Sequence, residues 1–176
     1  MQKSAMQVLL YLVILIGLTA CASSVKRADS VTTEPNWLIG QKYGGISVSL
    51  SEEMKSKLSG NLTFNTDEFK NTIKNAAEGG GLISPTSEYS IHILLTDIRV
   101  RSVFNAVMFG FMAGDDHLVG TVTITDKNKK VLKSFEVSAS YALGGLAGGQ
   151  DSMRMSWLYQ KFAELTVAEL KGQKSA

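Results

Sequence analysis

The chain has 176 residues, with 18 Lys or Arg against 16 Asp or Glu and a formal balance of +2. Its 44% apolar and 19% charged residues are the composition of one modest folded domain, and they exclude a disordered, collagenous or disulfide-built chain. Near-neutral charge also argues against nucleic acid as a partner, because phosphate binding needs a clustered basic surface.

The first element is an export signal. Lys3 supplies the charged start, Val8 to Leu18 the apolar run, and small residues precede Cys21. Eleven residues of helix cover roughly 17 Å against a hydrocarbon core of about 30 Å, so the run is a segment to be removed and not a membrane span.

Leu18-Thr19-Ala20-Cys21 resembles the lipobox of bacterial lipoproteins. That resemblance implies cleavage between Ala20 and Cys21, with a covalent diacylglycerol and an N-acyl chain on Cys21, which becomes the first mature residue. Cys21 is the only cysteine, so no disulfide can form within the chain. Several acyl chains anchor stably where one binds only marginally. Ala22 and Ser23 lack the Asp that retains many such proteins at the inner membrane, which implies the periplasmic face of the outer membrane.

Ala22 to Asn36 is polar, lacks periodicity and is closed by Pro35, so it reads as a tether of at most about 50 Å; the alternative is a strip along the domain held by Val25 and Val31. The layout expected is signal 1–20, lipidated N-terminus and tether 21–36, one α+β domain 37–171, and a tail 172–176.

Within the domain, Ile46, Val48 and Leu50 alternate with Ser47, Ser49 and Ser51, a half-buried strand entered through Gly44 and Gly45. Phe69, Ile73, Ala76 and Ala77 fall at helical spacing, with Thr66 or Asp67 as N-cap and Gly79 to Gly81 as the stop. Tyr89 to Phe104 is β-like, Ile91, Ile93 and Leu95 on one face and Leu94, Ile98 and Val100 on the other; the phase slip near Thr96 means a bulge or a strand covered on both faces. Leu118, Gly120, Val122 and Ile124 lead through the turn Asp126-Lys127-Asn128-Lys129 to a returning strand with Phe135, Val137, Ala139 and Tyr141 on one face. A last helix, capped by Asp151, carries Met155, Leu158, Phe162 and Leu165 as its stripe. The expected fold class is α+β: a mainly antiparallel sheet in the order strand-helix-strand-strand-strand-helix, helices packed on one face.

Phe109-Gly110-Phe111-Met112-Ala113-Gly114, the Gly-rich loop Gly144-Gly145-Leu146-Ala147-Gly148-Gly149 and the final helix together resemble small bacterial lipoproteins built on domains of unknown function. The resemblance implies a periplasmic α+β domain and brings no catalytic residues.

Asp115, Asp116 and His117 are the nearest approach to a metal set, but adjacent residues do not converge on one ion; a solvated turn, and no metal, is expected. No Gly-x-Ser-x-Gly elbow is present, and the Gly-rich loop lacks phosphate-binding spacing, so neither an enzyme nor a cofactor is expected. Arg99 and Arg101 share a strand face and are expected to pair with Glu136 across the sheet, the alternative being anionic headgroups.

The connection carrying Phe104, Met108, Phe109, Phe111 and Met112 is too apolar to be left in water; the domain's own sheet, a protein partner or lipid must cover it. The preferred reading is a non-catalytic, lipid-anchored accessory protein docking on an envelope protein through these residues, with Gly144, Gly145, Gly148 and Gly149 as a flexible loop. A carrier of a small amphiphile and a subunit of an oligomeric envelope assembly are the alternatives.

Overall fold

The computed structural model describes residues 23–27, 38–59, 64–102, 114–141 and 151–173. The signal segment, Ala20 and Cys21, the apolar residues Phe104 to Met112 and the glycines Gly144 to Gly149 lie outside them.

Eight elements follow in chain order: β1 (Ser24–Arg27), β2 (Gly45–Leu50), α1 (Glu52–Leu58), α2 (Thr66–Gly79), β3 (Ser90–Arg99), β4 (Asp116–Thr125), β5 (Val131–Tyr141) and α3 (Asp151–Leu170). The strands form one sheet in the order β1-β5-β4-β3-β2. All neighbours are antiparallel except β2 and β3, which run parallel because α1 and α2 carry the chain back between them. The α+β class and the mainly antiparallel sheet stand, and β1 and α1 are added to the expected order.

β1 corrects part of the tether. Ser24–Arg27 pairs with Phe135 to Ser138 of β5, and Val25 packs against the core, as the strip alternative required. α1 escapes a periodicity reading because it buries only Met54; its start is set by Ser51, whose side chain accepts from the Met54 N–H. In α2 the N-cap is Asn65, one residue before the expected Thr66, with its Oδ1 accepting from the N–H groups of Asp67 and Glu68.

The phase slip in β3 is a bulge: the register against β4 shifts between Leu95 and Asp97. The extra residue returns Ile98 to the face of Ile91, Ile93 and Leu95, so Ile98 is a core residue and not on the face of Leu94, which stays exposed. In the β4–β5 turn, Asp126 Oδ1 accepts from the N–H groups of Asn128 and Lys130, which carries Lys129 through a positive φ of 62°.

α2 and α3 cover one face of the sheet. Phe69, Tyr159 and Phe162 meet edge to face in the layer between, with ring centroids 5.2–5.4 Å apart. A Cβ on Gly120 of β4 would come within 2.8 Å of the Leu95 side chain and 3.2 Å of the Phe162 ring, so glycine sets how closely α3 approaches. The other face is open and rich in Ser and Thr, including Ser47, Ser49, Thr121 and Thr123. Among the described residues no helix is long and apolar enough to cross a membrane.

Candidate functional site

β3 ends, β4 begins and β5 ends at the same edge of the molecule, since Arg99 pairs with His117 and Asp116 with Tyr141. Segments 103–113 and 142–150 therefore both leave and return at this one end, and α3 starts there. We refer to it as the loop end.

A buried charge cluster closes it. Asp116 accepts four hydrogen bonds: from the Arg101 backbone N–H at 2.7 Å, Arg101 Nε at 3.1 Å, Arg101 Nη2 at 3.1 Å and Arg154 Nη1 at 3.0 Å. Arg101 also donates to the carbonyls of Gly114 at 2.7 Å and Tyr141 at 3.3 Å, and Arg154 to the carbonyl of Arg101 at 2.8 Å. The side chains of Arg101, Asp116 and Arg154 are 2%, 0% and 0% exposed, so their attraction is barely screened by solvent. Each bond ties residues on different sides of a segment root: Arg101 and Gly114 flank 103–113, Tyr141 and Arg154 flank 142–150.

Two expectations are corrected here. Asp116 is the fully buried start of β4 and not part of a solvated turn, because its side chain falls in phase with Leu118 and Val122 on the core face. Arg101 pairs with Asp116, not with Glu136, whose partner is Lys26 on β1 at 3.5 Å. The β1 strand that displaces the tether is thus what supplies the Glu136 cation.

A second, partly buried cluster pins the far end of α3. Glu169 accepts from Arg27 Nε at 2.9 Å, Arg27 Nη2 at 3.0 Å and Lys133 Nζ at 2.8 Å. Burial pushes the Glu169 carboxyl up, but the two cations outweigh it and hold the group below its ordinary value. On the open face, His117 Nε2 lies 3.1 Å from Asp97 and its Nδ1 3.6 Å from Asp115, while Lys57 also pairs with Asp97. Burial raises the Asp97 carboxyl, and Lys57 and His117 overcome it, for a net lowering. His92 meets Ser47 Oγ at 2.6 Å and Thr125 Oγ1 at 3.0 Å. Among the described residues no set of three or more His, Cys, Asp or Glu is placed to hold a metal ion.

Arg154, Lys133 and Glu169 were missed in the sequence, although each carries a signal. Arg154 lies one helical step before Leu158 on the apolar stripe, Glu169 one step after Leu165, and Lys133 in phase with Phe135 and Val137. Among the described residues near the loop end, the large apolar side chains that reach solvent are Met153 and Trp157, and the Trp157 ring packs on Tyr141 with centroids 4.9 Å apart.

The architecture is thus an α+β domain whose sheet presents two segments from one stapled end. The chain belongs to the DUF4410 family, a domain of unknown function, whose model matches residues 13–145. Among curated proteins no sequence matches it. Of solved structures, it is similar to the PelC dodecamer from Paraburkholderia phytofirmans, at 15% identity and a TM-score of 0.47 over 87% of this chain and 100% of that one. It is also similar to a minor lipoprotein from Acinetobacter baumannii, at 13% identity and a TM-score of 0.41 over 75% of this chain and 93% of that one. Neither likeness speaks to what this chain does.

Proposed function

We propose that this protein is a lipid-anchored accessory protein of the outer membrane's periplasmic face, without catalytic activity, that docks on an envelope protein through its loop end. The observation that carries this reading is the buried Arg101–Asp116–Arg154 cluster, which holds the roots of two segments side by side: one rich in Phe and Met, the other in glycine. A rigid base beneath these two segments suits docking, because it limits the ordering that binding must supply. The lipobox ending at Cys21 supplies the anchor.

The docking reading gains over carriage of an amphiphile from the interior. The layer between sheet and helices is filled by side chains such as Phe69, Ile93, Leu95 and Phe162, all at most 1% exposed. Site-specific photocrosslinking in intact cells tests docking, with probes at Phe109 and Phe111 and a control on the open sheet face at Ser138. A discrete protein adduct from the Phe positions alone is the expected result; equal labelling from Ser138, or no protein adduct from either Phe position, refutes it.

A further inference from the structure

The direction of β1 decides which end of the domain faces the membrane. β1 runs antiparallel to β5, and the chain enters it at the loop end: Ser24 pairs with Ser138, and Ser23 Oγ accepts from the Ser140 N–H at 3.0 Å. Cys21 stands two residues before Ser23, a contour of at most about 7 Å. β5 has 11 residues, so the β4–β5 turn lies about 34 Å away at the other end of the strand. A free tether of about 50 Å would have allowed either end to meet the bilayer. Two residues do not.

We propose that the loop end lies on the phospholipid surface of the membrane that holds the Cys21 lipid, with Met153 and Trp157 as its interfacial side chains; this rests on the lipid-anchor reading of the preceding section. Met153 is 66% and Trp157 37% exposed, both in the first two turns of α3, and the Trp157 ring packs on Tyr141, next to the Ser140 that meets Ser23. Trp favours the headgroup layer, where its ring meets acyl chains and its N–H meets water. The envelope protein docked by this end is then one presented at the bilayer surface.

The test uses the full lipidated chain, whose single native cysteine sulfur is blocked by lipid. A Met153→Cys or an Asn128→Cys variant is labelled with an environment-sensitive fluorophore, and the protein is reconstituted into phosphatidylethanolamine and phosphatidylglycerol vesicles with headgroup-proximal spin-labelled lipid. Loss of most of the fluorescence at position 153 and none at position 128 is expected. Palmitate-labelled, vesicle-bound protein with no quenching at 153, or with as much at 128, overturns the orientation and leaves protein docking standing. A chain that takes up no palmitate and does not float with vesicles overturns the anchor and the orientation together.

Discussion

Replacing Asp116 with Asn tests the reasoning at its most exposed point. The amide keeps the shape of the carboxylate but removes its charge, and it turns an NH2 toward guanidinium donors where an acceptor stood. Two buried cations then lose the carboxylate they share, and of the four bonds Asp116 accepts, those to the replaced oxygen are lost. Breaking a buried ion pair from one side costs about 3–5 kcal/mol, because the partner stays desolvated. For a domain of this size each kcal/mol moves Tm by about 2–4 °C, so a fall of about 6–20 °C is expected. Urea and thermal unfolding of a form lacking the signal and Cys21 measure it, with an unchanged m-value indicating a change in stability alone. The control is Glu136→Gln, which breaks the Lys26 pair between side chains 74% and 42% exposed and is expected to cost under about 1 kcal/mol. A loss from Asp116→Asn no larger than that of the control refutes the buried cluster, and with it the stapled base on which the docking proposal stands. In cells the same substitution is expected to reduce the crosslinks from Phe109 and Phe111.

Three further predictions concern other parts of the fold. Glu169→Gln removes the carboxylate paired with the buried Lys133 and is expected to cost roughly 2–4 kcal/mol at neutral pH. Because the folded carboxyl is held below its ordinary value of 4.5, its contribution is complete above that value and disappears as pH falls through the folded pKa; the gap to the wild type in urea midpoint narrows on acidification, and a constant gap refutes the assignment. Gly120→Ala drives a Cβ into Leu95 and within 3.1 Å of the Leu94 carbonyl, and is expected to cost about 1–3 kcal/mol in denaturant unfolding; an unchanged midpoint would show that α3 does not sit as close as described. Tyr43 is fully buried, and its hydroxyl has no hydrogen-bond partner among the described residues. Tyr43→Phe is therefore expected to be neutral or to stabilise by up to about 1 kcal/mol, and a clear loss would reveal a missed partner. Burial pushes the Tyr43 hydroxyl up to about 12, so the unfolded chain ionises first and stability falls as pH rises above 10; the Phe variant has a shallower alkaline limb.

Period-two and period-3.6 patterns were enough to place β2, α2, β3, β4, β5 and α3 from the sequence, because each buries one face against a common core and so imposes its own geometry on the order of apolar residues. The bulge at Thr96 was also legible, since a slip of phase is what one extra residue in a strand produces. β1 and α1 were not. Ser24–Arg27 has a single core contact, Val25, and becomes a strand only because β5 offers an unpaired edge and Glu169 and Glu136 await its cations. α1 hides for the same reason, with Met54 as its one buried side chain.

The charged residues mark the sharper boundary. The order of residues puts Asp116, Lys133, Arg154 and Glu169 in phase with apolar neighbours, yet Asp116 was expected in a solvated turn and the other three drew no reading, so only the structure showed that they point at the core. Their partners belong to the tertiary structure alone, because Arg101 and Arg154 stand 15 and 38 residues from Asp116, and Arg27 stands 142 from Glu169. Periodicity reports which way a side chain points on its own element; only the packing of α3 across the sheet decides which opposite charge it meets there. The same holds for the polarity of the molecule. A lipobox and a polar stretch set no orientation, and it is the pairing of four residues with β5 that puts Ser23, two residues after Cys21 in the sequence, at the loop end.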